Sequence, residues 1–442
     1  MSGTLINENS KTIGVGLLGL GVVGSAVATS VLSGYGRRSG IELRSALVRE
    51  VSRQRSVQMP PGTITTDPDS VLNSPDINIV IELMGGEEPA LQYISRALTA
   101  GKHVVTANKE VISKHGEQLR DLASKSNVSL QYEASVGGGI PIINPLLEDL
   151  RANELLGLRA IINGTTNYIL TQMASGGASF DEALADAQAL GFAEADPSAD
   201  IDAFDAAYKI SILTRLAFGV SVPVESIHRE GIRNTASQDF RYARELGYTI
   251  KLLAAARREK DGLLVRVHPA LIPVNVPMAK VEGVLNVVEA EGDLVGPLWV
   301  QGRGAGPDPT ASAVMSDILR ASAAIRCNGN LATARPLNSD LALVGMDKYR
   351  CKYYVRLTVR DRPGVLAQIA GVLGNMQISI ASVLQMDTDT QLEKADLVIM
   401  THPAREANMQ GAIDHIDALA DVDSVANLIR VESYQSDEQT TV

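Results

Sequence analysis

The apolar positions in the first third of the chain come in short runs separated by stretches of helical periodicity. Thr12 to Leu18, Ile41 to Val48, Ile79 to Met84, His103 to Thr106 and Val128 to Tyr132 read as strands buried on both faces. Ser25 to Leu32, Pro89 to Ala100 and Lys114 to Ser124 read as helices between them. Strand alternating with helix predicts a doubly wound parallel sheet with right-handed crossovers, an α/β fold. The pattern changes near Gly137. A helix is expected from Pro141 to about Leu150, with proline in its first turn. Further helices are expected over Phe180 to Leu190, capped by Ser179 with Glu182, and over Asp202 to Phe218 and Phe240 to Arg258. Leu264 to Val276 and Gly283 to Glu289 read as antiparallel strands of an α+β region. From Lys352 to about Val431 the order is β-α-β-β-α-β: Tyr353 to Val359, Val365 to Leu373, Ile378 to Met386, Ala395 to Thr401, Glu406 to Leu419 and Val422 to Val431. The polar tail from Glu432 to Val442 is expected to fray.

The run Ile13 to Leu32 invites a signal-peptide or membrane reading. Its five glycines, its single-lysine flank and the lack of a cleavage pattern point instead to strand, turn and helix in a soluble protein. A net charge of −11 argues against a nucleic-acid partner. The two cysteines fit a reducing cytoplasm, and the six scattered histidines have no zinc-ligand spacing.

The candidate chemistry begins at Gly19-Leu20-Gly21-Val22-Val23-Gly24, which follows a strand and opens a helix. Its glycines allow a tight turn, close approach of a pyrophosphate and close helix–strand packing, and the helix N-terminus faces the phosphates. This is a Rossmann cofactor loop. After the second strand, Glu50 stands among Arg49, Arg53 and Arg55. The guanidinium groups favour a 2′-phosphate and so NADP, with NAD use left open. Glu82 to Gly86, Thr106 to Lys109 and Glu133 to Gly139 close successive strands, and such carboxyl ends share one crevice. Asp202, Asp205 and Lys209 are expected on one helix face, which by spacing alone is an ordinary surface ion-pair pattern. The acids Glu194, Asp196 and Asp200 just upstream call for a cationic partner. Gly302-Arg303-Gly304-Ala305-Gly306 leads into a helix expected over Thr310 to Ile325 that returns the chain to the first domain.

These motifs together resemble one family. Gly191-Phe192-Ala193-Glu194-Ala195-Asp196-Pro197-Ser198-Ala199-Asp200-Ile201-Asp202-Ala203-Phe204-Asp205, continuing to Lys209, is similar to the homoserine dehydrogenase signature. Asn163-Gly164-Thr165-Thr166-Asn167-Tyr168-Ile169, Thr106 to Lys109, and Gly304-Ala305-Gly306 with Pro309 to Ala313 agree with it. Asp361-Arg362-Pro363-Gly364-Val365-Leu366 resembles an ACT domain, a ferredoxin-like amino-acid sensor. Without an upstream kinase region, the monofunctional form is implied. The expected division is 12–140, rejoined by 303–328, for NAD(P); 141–302 for substrate and dimerisation; and 350–431 for regulation.

The resemblance implies interconversion of L-homoserine and L-aspartate 4-semialdehyde in threonine and methionine biosynthesis. It implies that Glu194 and Asp205 hold the substrate ammonium, with Asp200 nearby in the substrate site and the backbone at Gly164 and Thr165 shaping the pocket. It adds Thr106, Lys109, Gly191, Gly304 and Gly306 to the cofactor set of Gly19, Leu20, Gly21, Val22, Val23, Gly24 and Arg49. It implies a sodium site at Glu133 with the carbonyls of Val136, Gly138 and Ile140, and inhibition by L-threonine through the ACT domain. Lys209 is the family's proton carrier, with Lys109 lining the same site. A free lysine, pKa about 10.4, is a weak acid at neutral pH, so the residues themselves leave both lysines open. Ala203 stands where the signature commonly has glycine, and Phe192 where some members have tyrosine. Exposed sheet edges suggest a homodimer or homotetramer. The competing readings are a catalytically silent amino-acid sensor and an oxidoreductase of another semialdehyde.

Overall fold

The computed structural model describes residues 12–434 apart from 328, 330–334 and 390–393. They fall into two compact units, one drawn from 1–158, 208–226 and 286–339, the other from 159–207, 227–285 and 340–442.

The first unit holds six strands: β1 (Ile13–Leu18), β2 (Ile41–Leu47), β3 (Ile64–Thr65), β4 (Ile79–Glu82), β5 (His103–Thr106) and β6 (Leu130–Gln131). They form a parallel sheet in the order β3-β2-β1-β4-β5-β6. The order reverses between β1 and β4, which opens a crevice at their carboxyl ends. β1 and β4 are buried throughout, as a central parallel strand requires. The helix Pro307–Cys327 packs onto this core through Ala311, Val314, Met315, Ile318 and Ala321, against Ile13, Val15, Leu17, Val27 and Val31. It begins three residues before the expected Thr310, because Pro307 and Pro309 fit a first turn whose N–H groups need no partner. The helix Lys109–Lys125 also starts earlier than expected, at the Asn108 cap. After Pro141 the backbone forms a π-helix over Pro145–Asp149 rather than an α-helix.

In the second unit a twelve-residue strand, Tyr248–Glu259, pairs antiparallel with another, Gly262–Pro273. This overturns the helix expected over Phe240 to Arg258. The helix there spans only Ser237–Glu245, and Gly247 (φ +82°) turns the chain into the strand. The alanine-rich stretch Leu252 to Arg258 has helical propensity, but Ile250 to Ala256 are buried on both faces of the sheet, and tertiary burial decides. The strand Leu155–Ile161 and the helix Gly164–Gly176 were not anticipated.

The C-terminal region has the expected element order. Its strands lie Val422–Val431, Arg350–Arg360, Lys394–Thr401, Ile380–Asp389 across the sheet, with helices Val365–Asn375 and Glu406–Asp417 on one face. Its last strand also pairs in parallel with Gly262–Pro273, at Ala270 with Arg430 and Leu271 with Val431. One sheet therefore runs from the substrate region into the C-terminal module.

Glu432, where the tail was expected to begin fraying, is held instead. It is buried at 3% exposure and accepts from Arg159 Nε and Arg266 Nη2, each at 2.7 Å. Its backbone N–H donates to Leu271. Residues 435–442 lie outside the described residues. Burial pushes the Glu432 carboxyl up, but Arg266 and Arg159 outweigh it and hold it at about 2. His268 sits beside this group and is pushed down to about 3 by burial, reinforced by Arg430 and Arg266. It is neutral: Nε2 accepts from Arg266 Nε, so the proton is on Nδ1, 2.8 Å from the Pro269 carbonyl.

Both shifts make the unfolded chain take up protons first on acidification. The His268 contribution is complete above about pH 6.5 and is lost toward pH 3; that of Glu432 is complete above about pH 4.5 and is lost toward pH 2. The urea midpoint is expected to fall between pH 7 and pH 4, and His268→Gln to reduce the part of that fall above pH 5, where the half-buried His103, also held below its ordinary value, acts in the same direction. An unchanged slope in the variant would contradict the assignment. Asp317 in the other unit, raised by burial to about 7, acts with the opposite sign, so the wild-type-minus-variant difference is the quantity to read.

Candidate active site

Gly19 leaves β1 with φ +100°, and a Cβ on Gly24 would sit 2.2 Å from the Gly19 carbonyl oxygen. The loop therefore folds tightly onto the helix Val22–Leu32 only with these glycines. Nothing lies within 4 Å of a Cβ built on Gly21, so its backbone is open to a ligand. Gly19, Leu20 and Gly21 line a cavity of 560 Å³ with Val48, Arg49, Glu50, Arg53, Arg55, Thr66, Met84 and Tyr93. Val22 is exposed and Val23 half-buried at the helix N-terminus. These features fit a dinucleotide.

The three arginines are not equivalent. Arg55 donates to the backbone carbonyls of Glu50, Val51 and Arg53, so it builds the loop. Arg49 and Arg53 are exposed at the cavity. The Glu50 carboxylate accepts from Ser52 Oγ at 2.6 Å.

At the end of β4 the buried Glu82 carboxylate accepts from Met84 N and from Thr106 Oγ1, and burial raises its pKa. Thr106 Oγ1 in turn accepts from Asn108 N. Asn108 accepts from Val111 N, so Lys109 stands at the first position of a capped helix. The Thr106 hydroxyl is thus committed within the protein, leaving its backbone as the part that can meet a cofactor. Sequence reasoning placed Glu82 at the crevice without giving it this bracing role.

Glu133 is buried in the short helix that follows β6. Its carboxylate accepts from the backbone N–H groups of Ile142, Ile143 and Asn144 (2.6, 2.8 and 2.9 Å) and from the Asn144 amide. It caps the following turn. Gly138 approaches the Gly304 loop so closely that a Cβ would lie 2.3 Å from the Gly304 oxygen, and Gly139 N–H donates to Arg303. Gly304 is buried; Gly306 has φ +116° ahead of the helix Pro307–Cys327.

In the second unit Asn163 caps the helix Gly164–Gly176 by accepting from Thr166 N. Its amide donates to two carboxylates, Asp200 Oδ1 at 2.6 Å and Asp205 Oδ2 at 2.8 Å. Asp205 is buried, and Asp200 half-buried. Asn163 was quoted in the sequence motif without a role; an asparagine before Gly-Thr-Thr is the signal of a helix cap that could have found it. Thr165 Oγ1 donates to the Phe192 carbonyl, and the Phe192 ring meets Tyr168 at 5.0 Å. Gly191 (φ +74°) ends the helix Phe180–Ala189. The Gln188 amide donates to the backbone of Glu194, whose side chain is exposed.

Asp202 does not share the helix with Asp205 and Lys209. It follows the short helix Ser198–Ile201 and pairs with Arg233 through both oxygens, which lowers its pKa. The long helix starts at Phe204, so Asp205 and Lys209 lie one turn apart on it. Between them and Asp202, Ala203 holds φ +63° while buried. That left-handed backbone explains the glycine of the signature, and alanine pays about 1–2 kcal/mol for it.

Residues 19–133 match the model of the homoserine dehydrogenase NAD-binding domain, 141–319 that of homoserine dehydrogenase and 353–421 that of the ACT domain. Homoserine dehydrogenase from Synechocystis sp. is 42% identical, covering 96% of this chain and 100% of that protein. The enzyme from Neisseria gonorrhoeae is 39% identical, over 96% and 99%. The crystal structure of a homoserine dehydrogenase from Thiobacillus denitrificans superposes with a TM-score of 0.89 at 41% identity, covering 95% of this chain and 98% of that one. A hyperthermophilic archaeal homoserine dehydrogenase in complex with NADPH superposes at 0.59 and 27% identity, over 70% of this chain and 98% of its own. A cofactor loop, an acid cluster tied to one asparagine and a C-terminal ACT domain thus stand in a chain that belongs to the homoserine dehydrogenase family of NAD(P)-dependent oxidoreductases.

Proposed function

We propose that the chain is an NADP-linked homoserine dehydrogenase of the cytoplasm. It reduces L-aspartate 4-semialdehyde to L-homoserine on the route to threonine and methionine, and L-threonine inhibits it through residues 352–431. The observation that carries the substrate reading is Asn163 holding Asp200 and Asp205 together at the start of the helix that bears Lys209. Two carboxylates sharing one amide donor keep acceptor capacity for an ammonium group. Glu194 adds negative charge from the exposed loop. Gly164 and Thr165 shape the pocket, Thr165 also holding the Phe192 backbone.

The bound nicotinamide supplies the hydride. Lys209 gives a proton to the alkoxide oxygen that develops on the former aldehyde, and takes it back in the reverse direction. Lys109 lines the site. The pyrophosphate lies on the loop Gly19 to Gly24, with Thr106, Gly191, Gly304 and Gly306 completing the cofactor set. A monovalent cation, sodium, would be held at Glu133 with the carbonyl oxygens of Val136, Gly138 and Ile140; hard oxygen donors suit it. The Glu133 carboxylate shapes that turn through its amide contacts. The active form is a homodimer or homotetramer.

The engaged Glu50 and the exposed Arg49 and Arg53 support the NADP preference. Arg49→Ala is expected to weaken NADPH binding roughly tenfold to a hundredfold while NADH binding stays within about twofold. Titrating both cofactors into wild type and variant checks this. Equal losses for the two would remove the 2′-phosphate role. Turnover with homoserine, followed with NAD and NADP side by side, tests the activity. Deleting residues 352–431 tests the regulation, and unchanged threonine sensitivity would refute it.

A further inference from the structure

The acids of the substrate loop rest on a segment that no catalytic role accounts for, residues 228–233. Ile232 N–H donates to the Ile201 carbonyl at 2.9 Å. Arg233 grips Asp202 through both oxygens. The Arg229 guanidinium lies 3.5 Å over the Phe204 ring. Gly231 passes so close that a Cβ would come within 2.3 Å of the Ile201 oxygen. These contacts bracket Ala203 on both sides. A left-handed alanine persists only where its surroundings over-determine it, and here the segment does so. Asp200 and Asp205 are the chain neighbours of two of the contacted residues, Ile201 and Phe204.

The segment is itself anchored from behind. His228 and Arg229 pair with the strand Gly262–Pro273, and Glu230 N–H donates to the Val267 carbonyl. The Glu230 carboxylate accepts from Arg430 Nη1 at 2.8 Å and lies 2.8 Å from His228 Nε2. Arg430, 1% exposed, belongs to the last strand of the ACT module, and its other nitrogens fork onto Glu406 at the start of the helix Glu406–Asp417. Tyr353 also donates to Glu406.

We infer that Glu230 and Arg430 are positioning residues for the substrate ammonium: the pair sets residues 228–233, which set Asp200 and Asp205, so that the ACT module holds the substrate loop in register. The inference rests on the substrate-site reading given above. In the full-length protein, Glu230→Gln is expected to raise the homoserine KM on the order of tenfold, with kcat at saturation and the KM for NADP within about twofold. Arg233→Ala, at a half-exposed position that folding tolerates, is expected to do the same. Glu432→Gln breaks another ion pair of the same buried group without touching the segment. It is expected to lower the melting temperature and leave the homoserine KM unchanged. A homoserine KM that stays at the wild-type value in both Glu230→Gln and Arg233→Ala overturns the inference. So does an equal rise in Glu432→Gln, which would make the effect one of general stability. Asp205→Asn separates this from the reading beneath it. If Asp205→Asn raises the homoserine KM and the segment variants do not, the positioning role alone fails; if Asp205→Asn has no effect, the substrate-site reading fails.

Discussion

Lys209→Ala is expected to lower kcat by roughly 10²- to 10⁴-fold, the usual worth of a positioned general acid, while NADPH affinity changes by no more than about twofold. The separation follows from placement. Lys209 lies one turn beyond Asp205 on the helix Phe204–Phe218, whereas the cofactor cavity is lined by β1, β2 and β4 and the loops that follow them. Without the amine the developing alkoxide must take its proton from water, in a site with no other donor assigned to that oxygen. Single-turnover kinetics at saturating NADPH, with NADPH binding followed by fluorescence, reads the two quantities apart. Equal losses in both would make Lys209 a structural residue, and a larger kcat loss in Lys109→Ala would move the proton to that side chain.

Asp239→Ala is expected to destabilise the second unit by about 3–5 kcal/mol, the cost of leaving a buried charge without its partner. Asp239 is fully buried. Its carboxylate accepts from Arg356 Nε at 2.6 Å, from Tyr354 OH at 2.9 Å and from Asn427 Nδ2 at 2.8 Å. It also accepts from Ala236 N–H, closing the start of the helix Ser237–Glu245. One carboxylate therefore joins two ACT strands to a helix of the substrate region. Alanine removes the acceptor shared by these four donors and takes the Asp239 charge from the Arg356 guanidinium, 7% exposed. The double variant Asp239→Leu with Arg356→Met is expected to recover most of the loss, because it removes the charge together with its partner. Urea denaturation of the three proteins checks this. A loss under 1 kcal/mol in Asp239→Ala would show that the carboxylate is not structural.

The nucleotide sheet was legible because its strands are short, apolar and punctuated by glycine; β5 and the strand Val422–Val431 have the bounds that the pattern gives. The segment Tyr248–Glu259 was not legible. Leu252-Leu253-Ala254-Ala255-Ala256 favours a helix locally, and only burial against distant strands makes it extended. The polar tail misled for a related reason. Glu432 reads as solvated until Arg159 and Arg266, both far away in sequence, are brought to it. In the candidate site the glycine loop and the acidic signature could be found by motif. The division of labour among similar residues could not: Arg55 turned back on its own loop, Glu133 spent on amides, Asp202 taken by Arg233. Side-chain direction fixes those roles, and spacing does not encode it.

The central claim is that Asp200 and Asp205, held by Asn163, select a substrate by its ammonium group. The direct measurement is kcat/KM for L-homoserine against 4-hydroxybutanoate, which keeps the alcohol and carboxylate but lacks the amine, in wild type and in Asp205→Asn. A preference for homoserine of at least about 10³-fold is expected in the wild type, because a site built to accept from an ammonium group discriminates strongly against an analogue that lacks it, and the preference is expected to collapse toward parity in the variant. Comparable use of both substrates by the wild type, or a preference that survives Asp205→Asn unchanged, would contradict it.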